Sequence, residues 1–370
     1  MEHIVQAVTI RWYNACAYYA VALAQGLRAL GRRVTVVGGY GTPAPDRARR
    51  AGCDVADFEV SSSRGPLALA RTVAAYRRFA REQGVTLVDA HNGHDHLLWT
   101  LALRGTGVPV VRTSGNQIPP NIHPASRFLM RSTAGTIVSC RTVRDFYIGG
   151  FGIPKASIPV INGGVDCKFY HPGAGGGLSR SDVGIPEDAF VFGILARFSP
   201  DKGHDVFFRA AGLTARRYPE ARFLVAGWKA QFSEDDISAM AAEAGIADRC
   251  VFAGRHDDTR DLIGIVDCGV VTSVGSETIC RIAMEYMAMG VPVIGSDTNV
   301  VPEVVRHERT GLVVPAHDHE ALAAAMDTMV CSRDTVRAYG KTARVVAESD
   351  YSLTAFAEKT LHAYGEFTVI

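Results

Sequence analysis

Two glutamates eight residues apart, Glu277 and Glu285, stand in the stretch "GSETICRIAMEYMAMG". Ile279, Ile282, Ala283, Tyr286 and Met287 recur around them at helical spacing. That periodicity predicts a helix starting near Thr278, with Gly290 as its C-terminal stop. Glu277 then sits in the turn at the mouth of the helix. Glu285 lies two turns in, where a carboxylate among apolar neighbours needs a partner. A vicinal diol suits it, because a carboxylate accepts two hydrogen bonds. Backbone N–H groups at Thr278, Ile279 and Cys280 would favour an anion at the same helix start. Read alone, the pair fits equally well an N-terminal helix charge and an ordinary helix carboxylate.

A second cluster lies in "GILARFSPDKGHD" (193–205). Arg197 follows a buried apolar run, and Lys202 precedes the next helix. Two such cations can grip a diphosphate, Arg by its planar fork and Lys as a point charge. Gly203 lets the backbone approach closely.

The elements that must position these residues are read from apolar runs. Strands are expected at 3–10, 33–39, 85–90, 108–115, 135–140 and 157–162, with helices between them. A stretch rich in Gly, Pro and polar residues, 162–186, reads as an interdomain linker. The rhythm restarts with strands at 190–196, 221–227, 249–254, 268–273, 291–296 and 310–315, followed by helices near 318–331, 334–347 and 352–363. Runs of Val and Ile without polar alternation are buried on both faces, which predicts parallel sheets covered by helices. The fold class is therefore α/β, with two doubly wound domains. Ligands of such sheets bind outside the carboxyl ends of the strands, and a central cleft between two facing sheets is the expected site.

Taken together, "SETICRIAMEYMAMGVPVIG", "ARFSPDKGHD" and "NGGVDCKFYHP" resemble the retaining GT-B glycosyltransferases of family 4. The resemblance spans nearly the whole chain and is best from about 157 to 330. It implies two Rossmann-like domains: an acceptor-binding one over 1–168, to which a helix at about 350–370 crosses back, and a nucleotide-sugar-binding one over 169–349. It implies a nucleotide-diphosphate sugar as donor, no cofactor and no metal. By the same resemblance Glu285 meets the ribose hydroxyls and Glu277 the donor sugar. Arg197 and Lys202 would hold the diphosphate, and Thr278 and Ile279 would offer backbone N–H groups. The stretch 251–258, with Arg255, would lie near the nucleobase.

Two departures stand in the first half. The family's Gly-rich loop after the first strand is replaced by "RWYNACAYY", which points to an acceptor site built from Arg11, Trp12, Tyr13 and Asn14. A family histidine after the strand "VVRTSGN" is absent; His91 and His94 follow the preceding strand instead. His94 is the catalytic candidate there, with Asn92, Arg112, Ser114 and Asn116 as further acceptor candidates.

Charge separates the halves. Residues 1–165 carry 19 Lys/Arg and 9 Asp/Glu, a balance of +10, and the remainder carries 20 and 29, a balance of −9. A basic first half suits an anionic or lipid-linked glycan acceptor, such as a lipopolysaccharide or polysaccharide precursor, and peripheral contact with a membrane surface. No nucleic-acid partner is expected. The eight cysteines form no CxxC pair and read as reduced core residues. With no signal-peptide pattern and no apolar run long enough to span a bilayer, the expected location is cytoplasmic, at most peripheral to the inner face of the membrane. The alternatives are a GT-B-fold nucleotide-sugar epimerase and a non-catalytic GT-B scaffold.

Overall fold

A computed structural model describes residues 2–59, 65–116, 118–119, 121–256, 258–275 and 277–368. The chain divides after Gly164. Residues up to that point join those from Tyr351 onward in the first unit, and Val165–Asp350 form the second.

The first unit holds strands β1 (His3–Ala7), β2 (Arg33–Gly39), β3 (Asp54–Phe58), β4 (Leu87–Ala90), β5 (Val110–Ser114) and β6 (Gly135–Val138). They form one parallel sheet in the order β3-β2-β1-β4-β5-β6. Two sequence expectations change here. β3, "DVADF", went unread because it is an edge strand, partly exposed along its length and without an apolar run. The run at 157–162 is no strand of the sheet: it begins in a short 3-10 turn and touches β6 only through a Val138–Val160 bridge. Under the sheet, Tyr76 stacks on the fully buried Trp99 with ring centroids 4.4 Å apart. Burying one such side chain contributes roughly 1.5–3 kcal/mol.

The last helix, Leu353–Thr368, belongs to this unit. It lies so close to the helix Ala15–Ala29 that a Cβ on Gly26 would stand 2.1 Å from the Leu353 carbonyl oxygen. Phe356 meets Tyr19 edge to face at 4.6 Å, and the Tyr364 hydroxyl donates to Asp89 Oδ2 at 2.7 Å. A π-helical turn, Ala347–Tyr351, leads into it from the second unit.

The second unit repeats the plan with β7 (Phe190–Leu195), β8 (Ala221–Ala226), β9 (Cys250–Gly254), β10 (Cys268–Val271), β11 (Val293–Ser296) and β12 (Gly311–Val314). All are parallel, in the order β12-β11-β10-β7-β8-β9. Counted from the start of each unit, the two strand orders are the same, that of a Rossmann-like sheet. Phe190, Phe192, Phe207, Phe208 and Phe223 fill its core.

The stretch read as a linker is built into this unit. Asp261 accepts the N–H groups of Gly176 and Gly177 at 3.0 and 3.1 Å. Arg180 pairs with Asp267 at 2.9 Å, and Val165, Tyr170, Ala174 and Ile185 are buried. The domain boundary drawn at 168/169 thus moves to 164/165. Composition marked the segment as loop, but its glycines allow close packing as readily as flexibility.

Candidate functional site

The loops at the carboxyl ends of β7 and β10 are fastened to each other. Gly203 has φ +64°, and a Cβ there would lie 2.1 Å from the Thr272 carbonyl oxygen, so only glycine fits. The Thr272 hydroxyl donates to the Lys202 carbonyl at 2.8 Å, and Val274 N–H donates to the Asp201 carbonyl at 3.0 Å. The next loop joins in: Ser296 and Thr298 hydroxyls both donate to the Ser273 carbonyl at 2.6 Å, and Val300 N–H donates to the Glu277 carbonyl at 3.1 Å.

This framework brings Lys202 Nζ to 2.6 Å from Glu277 Oε2, with both side chains largely buried. Ser273 donates to the same oxygen at 2.8 Å. Burial alone would lower the lysine's pKa, but Glu277, Asp201 and Cys280 outweigh it and raise it, so the ammonium stays charged. Arg197, half-exposed, donates to Asp201 Oδ2 at 2.9 Å, and Lys202 lies 3.7 Å from the same carboxylate. Against its own burial, Ser199 and the two cations hold Asp201 below its ordinary pKa. Two cations and two carboxylates therefore alternate along one rim. Asp201 was not singled out in the sequence, although it stands beside Lys202 in "SPDKG".

The helix after β10 starts later than its periodicity predicts. It runs Arg281–Ala288 with Cys280 as N-cap, and Thr278 and Ile279 lie in a bend before it. Both are buried, so their N–H groups belong to the turn rather than to a helix end. Ser276 and Asp257, which lie inside the stretches read as functional, fall outside the described residues. Tyr286 anchors the helix by donating to the Gly193 carbonyl at 2.9 Å, and its ring fills the space that a Cβ on Gly269 would need. That anchoring directs the neighbouring Glu285 into the interior, 1 % exposed.

Glu285 meets groups the sequence reading did not name. Arg281 Nε lies 2.7 Å from Oε1, and the Thr259 hydroxyl donates to Oε2 at 3.2 Å. Tyr170 OH is 3.3 Å from the Thr259 hydroxyl. Oε1 is sealed from solvent and has the Arg281 guanidinium as its ion-pair partner, without an aligned hydrogen bond. Arg281 was legible as the i−4 partner of Glu285. Thr259 and Tyr170 arrive from distant segments and were not.

Arg255 follows β9, and its guanidinium lies 5.7 Å from the ring centroid of the half-exposed Trp228, which follows β8. The Trp228 carbonyl accepts from Phe198 N–H at 2.9 Å, which puts this aromatic beside Arg197 on the same rim.

In the first unit several acceptor candidates turn out to support structure. Asn14 caps the helix Ala15–Ala29, accepting from Ala17 N–H at 3.0 Å. Asn92 caps the helix Gly93–Leu103, accepting from Asp95 N–H at 2.8 Å, and its amide donates to the Asp95 carboxylate. His91 is buried, with Nε2 2.7 Å from Gln6 Oε1; burial keeps its pKa low. His94 is exposed in the first turn of its helix. Arg11 and Trp12 are exposed, Tyr13 is half-buried with the Arg47 guanidinium over its ring, and Asn116 is exposed. Arg112 and Ser114 are buried at the end of β5.

Among the described residues no group of three or more His, Cys, Asp or Glu could hold a metal ion, and no helix is long and apolar enough to cross a membrane.

Comparisons agree with this architecture. Residues 17–169 match the model of Glycosyltransferase Family 4, and residues 178–346 that of Glycosyl transferases group 1. The chain belongs to the group 1, or family 4, glycosyltransferases. It is 29% identical over 236 residues to a D-inositol 3-phosphate glycosyltransferase of Mycobacteroides abscessus, covering 62% of this chain and 51% of that protein. To the enzyme of that name from Saccharomonospora viridis it is 32% identical over 191 residues, covering 49% and 44%. The chain thus spans about half the length of the curated relatives it matches. A glycosyltransferase structure from Rickettsia africae superimposes with a TM-score of 0.84 at 18% identity, covering 100% of this chain and 99% of that one. Anabaena HepE, solved in complex with UDP and glucose, gives 0.81 at 18% identity, covering 99% and 100%. At such identities the likeness is one of fold, and the fold is GT-B.

Proposed function

We propose that the protein is a retaining glycosyltransferase that moves a sugar from a nucleotide-diphosphate sugar to an anionic or lipid-linked glycan acceptor. One observation carries the donor half: Lys202 Nζ is held 2.6 Å from Glu277 Oε2 on the rim that also bears Arg197. Cleavage of the anomeric C–O bond leaves negative charge on the diphosphate and positive charge on the sugar. Lys202 and Arg197 stabilise the first as preorganised charges, exchanging Asp201 and Glu277 for phosphate oxygens. Glu277, freed from its lysine, faces the sugar. Once Arg281 turns aside toward solvent, the Glu285 carboxylate accepts from the ribose hydroxyls, and Trp228 and Arg255 flank the base. The acceptor's proton passes to the departing phosphate oxygen on the same face of the sugar, so configuration is retained with neither a protein nucleophile nor a metal.

The relatives act on D-inositol 3-phosphate by name, and HepE was solved with UDP and glucose. The first supports an anionic acceptor, and the second a nucleotide-sugar donor. We assign acceptor recognition to the first unit, through Arg11, Trp12, Tyr13, Arg112 and Asn116, with Asn14 and Asn92 setting the helix starts beside them; His94 is the exposed candidate for proton handling there. Peripheral contact with a cytoplasmic membrane face fits the basic balance of this half.

The test is a panel of nucleotide sugars assayed with and without EDTA. Release of nucleoside diphosphate in both conditions, and an α-linked product from an α-linked donor by NMR, is the expected result. An epimerised nucleotide sugar, an inverted product or a full loss of activity with EDTA defeats the reading.

A further inference from the structure

Arg112, on β5, is 7% exposed, yet no carboxylate of the described residues lies within ion-pair distance of it. A guanidinium taken out of water needs compensation. It receives part from two carbonyls: Nη1 donates to Ala90 O at 2.8 Å and to Thr113 O at 2.7 Å. Among the described residues, neither Nε nor Nη2 has a hydrogen-bond partner. The side chain is thus clamped by one nitrogen, and the edge that forms bidentate pairs with oxyanions is left open.

The buried carboxylates of this unit take their hydrogen bonds from other groups, and Asp89 Oδ1 is buried with no hydrogen-bond partner among the described residues. Asp89 Oδ2 accepts from Thr113 at 2.8 Å and from Tyr364 at 2.7 Å. Asp95 accepts from the Thr9 N–H at 2.7 Å, from the Thr9 hydroxyl at 2.6 Å and from the Asn92 amide. A second feature points the same way. Cys16, in the first turn of the helix Ala15–Ala29, is close enough for the Arg112 charge to act on its thiol, which also accepts a hydrogen bond from the Gly115 backbone. That first turn holds no acidic residue, and only the neutral Asn14 side chain caps it.

We propose that Arg112 binds an oxyanion, a phosphate or carboxylate, through its Nε–Nη2 edge at the carboxyl end of β5. The proposal deepens the acceptor reading above, because it makes this oxyanion the acceptor's anionic group. The +10 balance of the first half supplies the long-range attraction, and Arg112 supplies the geometry.

The test is a titration of the full chain with inorganic phosphate, followed by calorimetry and 31P NMR. Arg197→Ala/Lys202→Ala protein serves as the background, so that the second unit's cations do not compete. Saturable binding is expected, weakened about 10- to 100-fold in Arg112→Gln, the range for a hydrogen bond to a charged group. Arg112→Lys keeps the charge without the fork and covers the case in which Arg112→Gln fails to fold; it should also bind more weakly, at an unchanged melting temperature. Acetate in place of phosphate separates the sources: tighter phosphate assigns a phosphorylated acceptor, and tighter acetate an acidic sugar. Equal phosphate affinity in folded Arg112→Lys and background protein overturns the inference, as does a background that binds neither anion. Nucleoside diphosphate release by the wild-type protein reports on the donor reading separately, so either can fail alone.

Discussion

At the carboxyl end of its first strand, the first unit places Thr9 to Asn14, and the second places Arg197 to Gly203. Both sheets share one strand order, so these loops occupy equivalent positions. In the first unit the polar side chains there mostly support structure: Asn14 caps a helix and Thr9 satisfies Asp95, while Asn92 caps the helix after β4. In the second, they serve each other as charges: Lys202 with Glu277 and Arg197 with Asp201. The first rim therefore has a buried cation held on one edge by backbone carbonyls, Arg112, and the second has a preassembled alternation of charge. A Rossmann-like sheet fixes where a site lies, while the loop residues decide its chemistry.

The largest expected effect tests the charged rim. Lys202→Ala should lower the rate of nucleoside diphosphate release by about 10²–10³-fold, the usual cost of removing one preorganised stabilising group. A drop below tenfold would remove the distinction between the two rims.

Next comes Glu285→Ala, which should weaken donor binding about 10- to 100-fold. Circular dichroism should show the fold intact, since Arg281 can turn toward solvent. Unchanged donor affinity in calorimetry would count against its role.

A third test sharpens the contrast in buried histidines. In the first unit, burial depresses His3, His91 and His96, the last to about 3, whereas the second unit has His204, at about 4. Folded values below the ordinary 6.5 mean that the unfolded chain binds the protons. The stability these groups contribute is intact above pH 6.5 and declines as pH falls through it toward the folded values. Hydrogen exchange between pH 7 and 5 should therefore show the first unit loosening before the second; the reverse order contradicts the contrast.

The smallest effect is that of Asn14→Ala, a lost helix cap expected to cost about 1 kcal/mol in urea unfolding. A loss near zero would free Asn14 for a role other than capping.

Much of this was legible in the residues. Val- and Ile-rich runs announced eleven of the twelve strands, because a strand buried on both faces must be apolar throughout. β3 escaped because "DVADF" breaks its apolar positions with two aspartates, and 157–162 misled because an apolar run can pack without forming a full ladder. The helix after β10 was misplaced at its start by three residues, since apolar periodicity continues into the bend at Thr278 and Ile279.

By itself the sequence determined two parallel α/β sheets, the charge divide and the residue types at the second rim, because burial and helical spacing leave their record in local pattern. Only the tertiary structure decided that Lys202 pairs with Glu277, 75 residues away, and that Thr259 reaches Glu285. The same holds for the folding of 165–186 into the second unit, and for Arg112, which is held on one edge by backbone carbonyls. Those outcomes depend on which strand ends lie side by side, and strand neighbours are set by long-range packing that no local period encodes.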